Sequence, residues 1–420
     1  MTQGIELELG DAHADITEHD VYTHGVPHAT FLRLREEDPV SFTPEEDGRG
    51  FWSVTRYEDV LYVSRHTELF SSAKGIRLED MDPEETEARR TIMEMDPPQH
   101  SRYRRLVSRP FAPRSVAAYE ASVRELATEV LAEVRGEARF DFVSTVARQL
   151  PMKMLGRLLG LPDADLDWLV DRGDALIGNT DADFTDFVVD QVDTSDYRLL
   201  PFRSPVSVEL FDYAKGALAE RRAHPTDDVL SALLQPTVDG DLLEDDQLKN
   251  FFTLMVAAGN DTTRYSMAAG LKALAERPSI LEKLRAEPEA IRPLVDEMLR
   301  WSSTTMHFRR TATQDTELRG TAIAAGDKVV VWYVSADFDA EQFTEPFSFD
   351  ARRDPNDHVA FGLHSPHLCL GAHLARLEMR VLFEELVPLV NAVQVAGTPE
   401  RLRSNFISGF KRLDVEVDWR

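Results

Sequence analysis

The chain of 420 residues has one cysteine, Cys369, and its setting is chemically suggestive. It lies in Phe361-Gly362-Leu363-His364-Ser365-Pro366-His367-Leu368-Cys369-Leu370-Gly371, directly ahead of a helical pattern, AHLARLEMRVLFEELVPLV. Free backbone N–H groups and the positive dipole end at a helix start stabilise an anion, so a thiolate is favoured there. Gly362 and Gly371 allow the backbone to turn and to approach a flat ligand. An isolated cysteine is more often a small buried hydrophobe. A nucleophile would need an oriented base and an oxyanion site, which the sequence does not place.

Other groupings carry chemical potential. The run Phe251–Thr263 is apolar except for small residues at Ala257, Ala258 and Gly259, followed by Asp261-Thr262. Gly inside a helix costs about 1 kcal/mol relative to Ala. The patch therefore implies close approach of something, either a crossing helix or a flat macrocycle. An acid–alcohol pair there can loosen helix hydrogen bonding and admit water; Thr263 is the rival hydroxyl. Glu297 and Arg300, at i and i+3, share a helix face and can pair, although most such pairs are solvated surface contacts.

Taken together, these segments resemble the cytochromes P-450. The cysteine segment matches F-G-x-G-x-H-x-C-x-G at Phe361, Gly362, His367, Cys369 and Gly371. His364 stands in place of the second glycine, and one extra residue separates Phe361 from Cys369, as in some bacterial members active on sterols and branched lipids. Glu297 and Arg300 fit E-x-x-R; Phe343, Pro346, Phe349 and Arg353 fit F-x-x-P-x-x-F-x-x-x-R; Ala258, Gly259, Asp261 and Thr262 fit A-G-x-(D/E)-T; His100 and Arg104 fit H-x-x-x-R. The likeness runs from about residue 50 to the C-terminus. It implies haem b (iron protoporphyrin IX) with Cys369 as axial ligand, and His100, Arg104, Arg310 and His367 on the propionates. Phe361, Ala258 and Gly259 would lie against the macrocycle. Glu297, Arg300 and Arg353 would brace the cysteine loop. Thr262 would hydrogen-bond the dioxygen and Asp261 would relay protons, since heterolytic O–O cleavage consumes two protons while the thiolate pushes electron density from the other side.

The elements that must position these residues are mostly helical. Apolar periodicity predicts helices over 99–109, 115–135, 141–159, 206–222, 226–235, 243–276, 288–302 and 371–390, and strands over 50–55, 318–322 and 327–333. The stretches 71–97 and 178–205 read as irregular, the first as a surface loop or lid. The fold class is mainly α with a small β region. The resemblance makes it the P-450 prism with a long central helix over the haem, a single domain over 1–420 with residues 1–20 poorly ordered.

With 47 Lys and Arg against 74 Asp and Glu, the net charge of −27 argues against nucleic-acid binding. The lone cysteine suits a reducing cytoplasm. Neither a signal peptide nor an apolar membrane-length run is visible. One cysteine cannot hold an iron–sulfur cluster, so the resemblance implies separate electron donors, a ferredoxin and a ferredoxin reductase. Arg102, Arg105, Arg109 and Arg376 make a candidate docking surface. Family segments place Leu254, Ala257, Val256, Thr305, Met306, Phe308 and Ile407 around an apolar substrate of terpenoid, steroid or fatty-chain type, with His307 or the 71–97 segment as a polar anchor. The expected activity is ferredoxin-dependent monooxygenation, hydroxylating or epoxidising that substrate. A haem-thiolate peroxygenase and a non-enzymatic haem sensor are the alternatives. Asp261-Thr262 argues against the first, and the lack of an output segment against the second.

Overall fold

A computed structural model describes residues 9–45 and 50–420 of the chain. The helix Asp245–Ala275 is its longest element. Its N-terminus is closed by a capping box: Glu244 accepts from the N3 backbone, and the Gln247 side chain accepts from the Glu244 N–H at 3.0 Å. Helices Gln149–Leu159, Leu166–Ile177, Val206–Ala223 and Ile291–Ser302 pack around it. Being apolar on more than one side, it is buried on more than one side. Helix Ala372–Leu386, which follows the cysteine, packs on Ile291–Ser302 and on Glu120–Val134.

A five-stranded sheet flanks this helical mass, in the order Val40–Thr43, Phe51–Val54, Lys328–Trp332, His307–Ala312, Phe70–Ser71. Phe51–Val54 runs parallel to Lys328–Trp332, with Phe51 opposite Lys328, and the other pairings are antiparallel. All five residues of Lys328–Trp332 are buried, consistent with its continuous apolar run. Phe308 packs against both the large helical core and the smaller sheet core, which locates the seam between them.

Several boundaries differ from expectation. The 115–135 pattern divides at Tyr119 into Pro113–Ala118 and Glu120–Val134. Helix Gln149–Leu159 is preceded by a π turn over Val143–Ala147 rather than starting at 141. The 318–322 strand is a hairpin, Thr316–Leu318 and Thr321–Ile323, turned by Arg319 and Gly320 at φ 52° and 83°. The 371–390 pattern ends its helix at Leu386; Val390–Val395 is a strand beside Asp414–Trp419. Helices His28–Glu37, Tyr57–Arg65 and Pro278–Ala286 were not anticipated. Of the 1–20 segment expected to be poorly ordered, residues 1–8 lie outside the described residues. Residues 9–20 pack on the body: Ile16 is buried, and Asn405 Nδ2 donates to the Thr17 carbonyl at 2.5 Å. Among the described residues no helix is long and apolar enough to cross a membrane.

Candidate active site

The cysteine loop is a succession of backbone turns. Gly362 N–H donates to Val359 O at 2.8 Å, Leu368 N–H to Ser365 O at 3.0 Å, and Cys369 N–H to Phe361 O at 2.9 Å. Gly362 has φ 70°, and His364, standing where the resemblance expects glycine, has φ 61°. The extra residue is thus absorbed with a left-handed histidine, at a modest conformational cost. Gly371 has an ordinary φ of −82°, and a Cβ built there meets nothing within 4 Å. The turn does not need glycine at 371; the open space beside it is cavity.

Cys369 is exposed, but onto that internal cavity rather than bulk solvent. Desolvation pushes its thiol above the ordinary value, opposed by the backbone N–H groups of Gly371 and Ala372 and the guanidiniums of Arg104 and Arg376. Among the protein's own groups, desolvation of the thiol outweighs the dipole end of the helix.

Beneath the loop lies a buried ionic lock. Arg300 is fully buried and meets Glu297 bidentately, Nε and Nη2 each at 2.8 Å. Arg353 Nε donates to the same carboxylate at 3.0 Å, as do Asp350 N–H at 2.9 Å and Asn356 Nδ2 at 3.2 Å. The two arginines also donate to five backbone carbonyls, those of Asp337, Pro346, Thr344, Glu345 and Ser348. The Glu297–Arg300 pair is therefore no solvated surface contact; it ties helix Ile291–Ser302 to the 337–356 segment that leads into the cysteine loop.

The long helix forms the opposite wall. It is unbroken through 257–263. Thr262 Oγ1 donates to Ala258 O at 3.1 Å and Ser266 Oγ to Thr262 O at 2.9 Å. The expected loosening of the helix is not seen. Ala258, Gly259, Thr262 and Thr263 line the cavity. Gly259 also serves a helix crossing, since an added Cβ would lie 3.1 Å from a Leu155 methyl. Asp261 is fully buried and pairs with Arg264 at 2.9 Å. Arg264 also meets Asp174 at 2.8 Å and the Tyr265 hydroxyl at 2.8 Å. Asp174 lies 3.5 Å from Arg148, which pairs with the exposed Asp171. Sequence reading missed Arg264, Asp174 and Tyr265. A cation three residues after a buried acid, on the same helix face, was the available signal. It also missed the hydroxyl strip Ser302, Ser266 and Thr304, linked at 3.3 and 2.9 Å.

The cavity extends over His100, Arg104, Arg310, Phe361 and His367. His100 is 1% exposed, and neither ring nitrogen has a hydrogen-bond partner among the described residues; the same is true of Nε of the buried Arg310. Desolvation, reinforced by Arg104, lowers His100 to about 4, so it is neutral at physiological pH. Its ring lies 4.2 Å from that of His367. Arg104 Nη2 donates to Leu368 O, next to the cysteine. Glu378, which sequence reading passed over, is 2% exposed on the helix after the cysteine and also lines this space; desolvation raises it to about 8.

A main cavity of about 240 Å³ adjoins a second of about 140 Å³, and the two share Ile76, Met93, Leu254, Ala258, Thr262, Thr305 and Phe308. Of the expected pocket residues, Leu254, Ala257, Thr305, Phe308 and Ile407 line them. Met306 does not: it is fully buried in the cluster of Phe31, Phe51 and Trp332. Val256 packs against Gly173 on a neighbouring helix. His307 is enclosed by Trp332 and Phe406 at 4.7 and 5.3 Å and anchors nothing in either cavity. The 71–97 segment does reach the second cavity, with Arg77, Glu79, Arg89 and Glu94.

On the outer face Arg105 and Arg109 are exposed and make no ion pair among the described residues. Arg102 pairs with Asp239 at 2.8 Å. The outward role expected of Arg376 is corrected: it pairs with Asp296 at 2.7 Å and lies over Phe361.

Residues 205–388 match the cytochrome P450 family model. Over 98% of its length the chain is 37% identical to a methyl-branched lipid omega-hydroxylase of Mycobacterium tuberculosis, covering 94% of that protein. Over 97% it is 34% identical to a steroid C26-monooxygenase of the same species, covering 93%. A Mycobacterium marinum cytochrome P450 in complex with pseudoionone superposes with a TM-score of 0.87 at 36% identity, over 97% of this chain and 99% of that one.

Proposed function

From the premise that the chain belongs to the cytochrome P450 family, and is a monooxygenase whose cofactor is haem b, we propose that Cys369 ligates the haem iron and that an apolar, lipid- or steroid-like molecule is oxidised against the Thr262 wall. The observation that carries this reading is one chamber in which Cys369 faces Ala258 and Thr262 while His100 and Arg310 present unpaired polar atoms. Haem b fits these residues. The open space at Gly371 leaves room for a flat ring, and the unsatisfied donors suit its carboxylates. Arg104, Arg310, His100 and His367 would hold the propionates, with Phe361 and Gly259 against the ring. Bound there, the group supplies the redox chemistry that activates dioxygen and delivers one oxygen atom to substrate.

The chain's own residues manage protons and water. Thr262 Oγ1, now bonded to the Ala258 carbonyl, is the hydroxyl that can turn into the chamber. Asp261 is the buried carboxylate beside it. Arg264 can release Asp261 while keeping Asp174, which frees the carboxylate to accept a proton and hand it toward Thr262. The ion pairs through Asp174 and Arg148 lead outward to Asp171, the exposed end of this route. Leu254, Thr305, Phe308 and Ile407 hold the apolar substrate away from water. Electrons come from a separate ferredoxin and its reductase, with Arg105 and Arg109 as the docking cations, and the protein works in the cytoplasm, where its single thiol stays reduced.

The reduced protein under carbon monoxide tests the central assignment. A thiolate-type red-shifted Soret band is expected, abolished in Cys369→Ala. A band without the red shift, or one unchanged in that variant, removes Cys369 as the ligand.

A further inference from the structure

Arg89 lines the second cavity, on the side of the shared residues Leu254 and Thr262 away from Cys369, which lines only the main one. The walls around it include Ile177, Leu254, Phe406 and Ile407. Its hydrogen-bond acceptors are weak and uncharged: the sulfur of Met81 at 2.7 Å and the carbonyl of Arg198 at 3.4 Å. No carboxylate lies within ion-pair distance of it among the described residues. The other charges of this cavity are already committed. Glu79 lies 3.8 Å from Arg77, whose guanidinium also rests over Phe406 at 4.8 Å. Glu94 accepts from the Thr91 N–H and hydroxyl at 3.0 and 2.7 Å. Nearby Arg203 has Glu85 at 2.8 Å. Arg89 is therefore a cation whose direct partners are all uncharged, facing an apolar cavity, with Glu85, Glu79 and Glu94 acting on it only from beyond ion-pair distance. Its backbone is held in place by Asn250, which donates from the long helix to Ala88 O at 2.8 Å and Arg90 O at 3.3 Å. A part-buried charge whose direct partners are uncharged is stabilised when a ligand brings a carboxylate into contact.

We infer that the substrate is a carboxylic acid whose carboxylate docks on Arg89, so that its apolar end lies toward Thr262 and is the end oxidised. A guanidinium suits a carboxylate in particular because it offers two parallel donors. Burial lowers the Arg89 pKa and Arg203 adds repulsion, opposed by Glu85 and Glu79; a carboxylate in direct contact would offset the burial. This inference rests on the monooxygenase reading above and narrows its substrate class from apolar molecules to apolar acids.

Haem-loaded protein provides the test, with palmitic acid and its methyl ester as probes and the spin-state shift of the Soret band as readout. The wild type should bind the acid roughly tenfold or more tighter than the ester, the scale of a charge-assisted hydrogen bond. Arg89→Gln should abolish that preference by weakening the acid alone, and Arg89→Lys should restore part of it. Equal binding of acid and ester by the wild type, or an undiminished preference in Arg89→Gln, overturns the inference. So does a spin shift with testosterone but with neither palmitate probe. The carbon-monoxide spectrum of each variant, recorded first, reports loading and thiolate ligation separately. A normal spectrum with no acid preference therefore sinks the Arg89 assignment while leaving the monooxygenase reading standing.

Discussion

Glu297 is the residue on which the chamber floor depends. It is fully buried and shared by Arg300 and Arg353, so Glu297→Ala would strand two buried guanidiniums. Removing one member of a buried charge network costs about 3–5 kcal/mol; the expected outcome is loss of most correctly loaded protein, read as the ratio of haem absorbance to protein. Glu378 makes the opposite case. Its folded pKa, about 8, lies above the ordinary 4.5, so the native state keeps a proton that the unfolded chain releases. The contribution of this group is least unfavourable below about pH 4.5, becomes destabilising as pH rises through that interval, and reaches its full cost above about pH 8. Glu378→Gln should therefore raise the melting temperature more at pH 9 than at pH 5, by an increment on the order of a few kcal/mol in stability. An increment that does not grow with pH would show that the carboxyl finds a partner in solution.

The long helix illustrates what an element can and cannot announce. Gly409, on the C-terminal segment, sits against a ring of that helix: a Cβ added there would lie 2.3 Å from Cγ of the fully buried Tyr265. The ring is fixed by its hydroxyl bond to Arg264, so Gly409→Ala should destabilise by about 1–3 kcal/mol, measurable by chemical denaturation. Because Tyr265 and Arg264 move together, the same change should slow turnover more than it weakens substrate binding. The span of this helix was readable beforehand, since 3.6-residue periodicity is a local property, whereas the Ala258–Thr262 patch and the Glu297–Arg300–Arg353 set were legible only through the family resemblance, because their spacing alone fits a helix crossing and a surface pair as well. The orientation of Met306 and Val256 was not. Apolar character says that a side chain avoids water, and both a substrate cavity and a packed core provide that. The strand at Val390–Val395 was hidden for a related reason: its apolar residues continue the preceding helical pattern, and pairing with Asp414–Trp419 decided its state.

At the scale of the molecule, charge is unevenly spread. The protein carries −27 overall, yet Arg105 and Arg109 stand exposed and without an ion pair among the described residues, on the helix whose Arg104 reaches the Leu368 carbonyl of the cysteine loop. An acidic donor protein would be steered there against the net repulsion. Arg105→Glu with Arg109→Glu should raise the KM for ferredoxin severalfold and flatten its dependence on ionic strength, leaving kcat at saturating donor nearly unchanged. Unaltered salt dependence in steady-state kinetics would remove this face from consideration. Arg376 is expected to contribute little to docking, because Asp296 already holds it.

The pairing of Phe51–Val54 with Lys328–Trp332, where Ser53 and Trp332 meet though 279 positions apart in sequence, has a consequence for biogenesis. Contacts of such separation form slowly, because a long loop must close before they stabilise anything. Cys369 also leaves the ribosome more than 300 residues after Val54, and Asn405 must still arrive to meet Thr17. The pigment chamber cannot exist on a nascent polypeptide. Synthesis must pass Cys369 and Asn405 before the apoprotein can capture its prosthetic group, so haem supply during expression should govern the yield of finished protein rather than the rate of its translation.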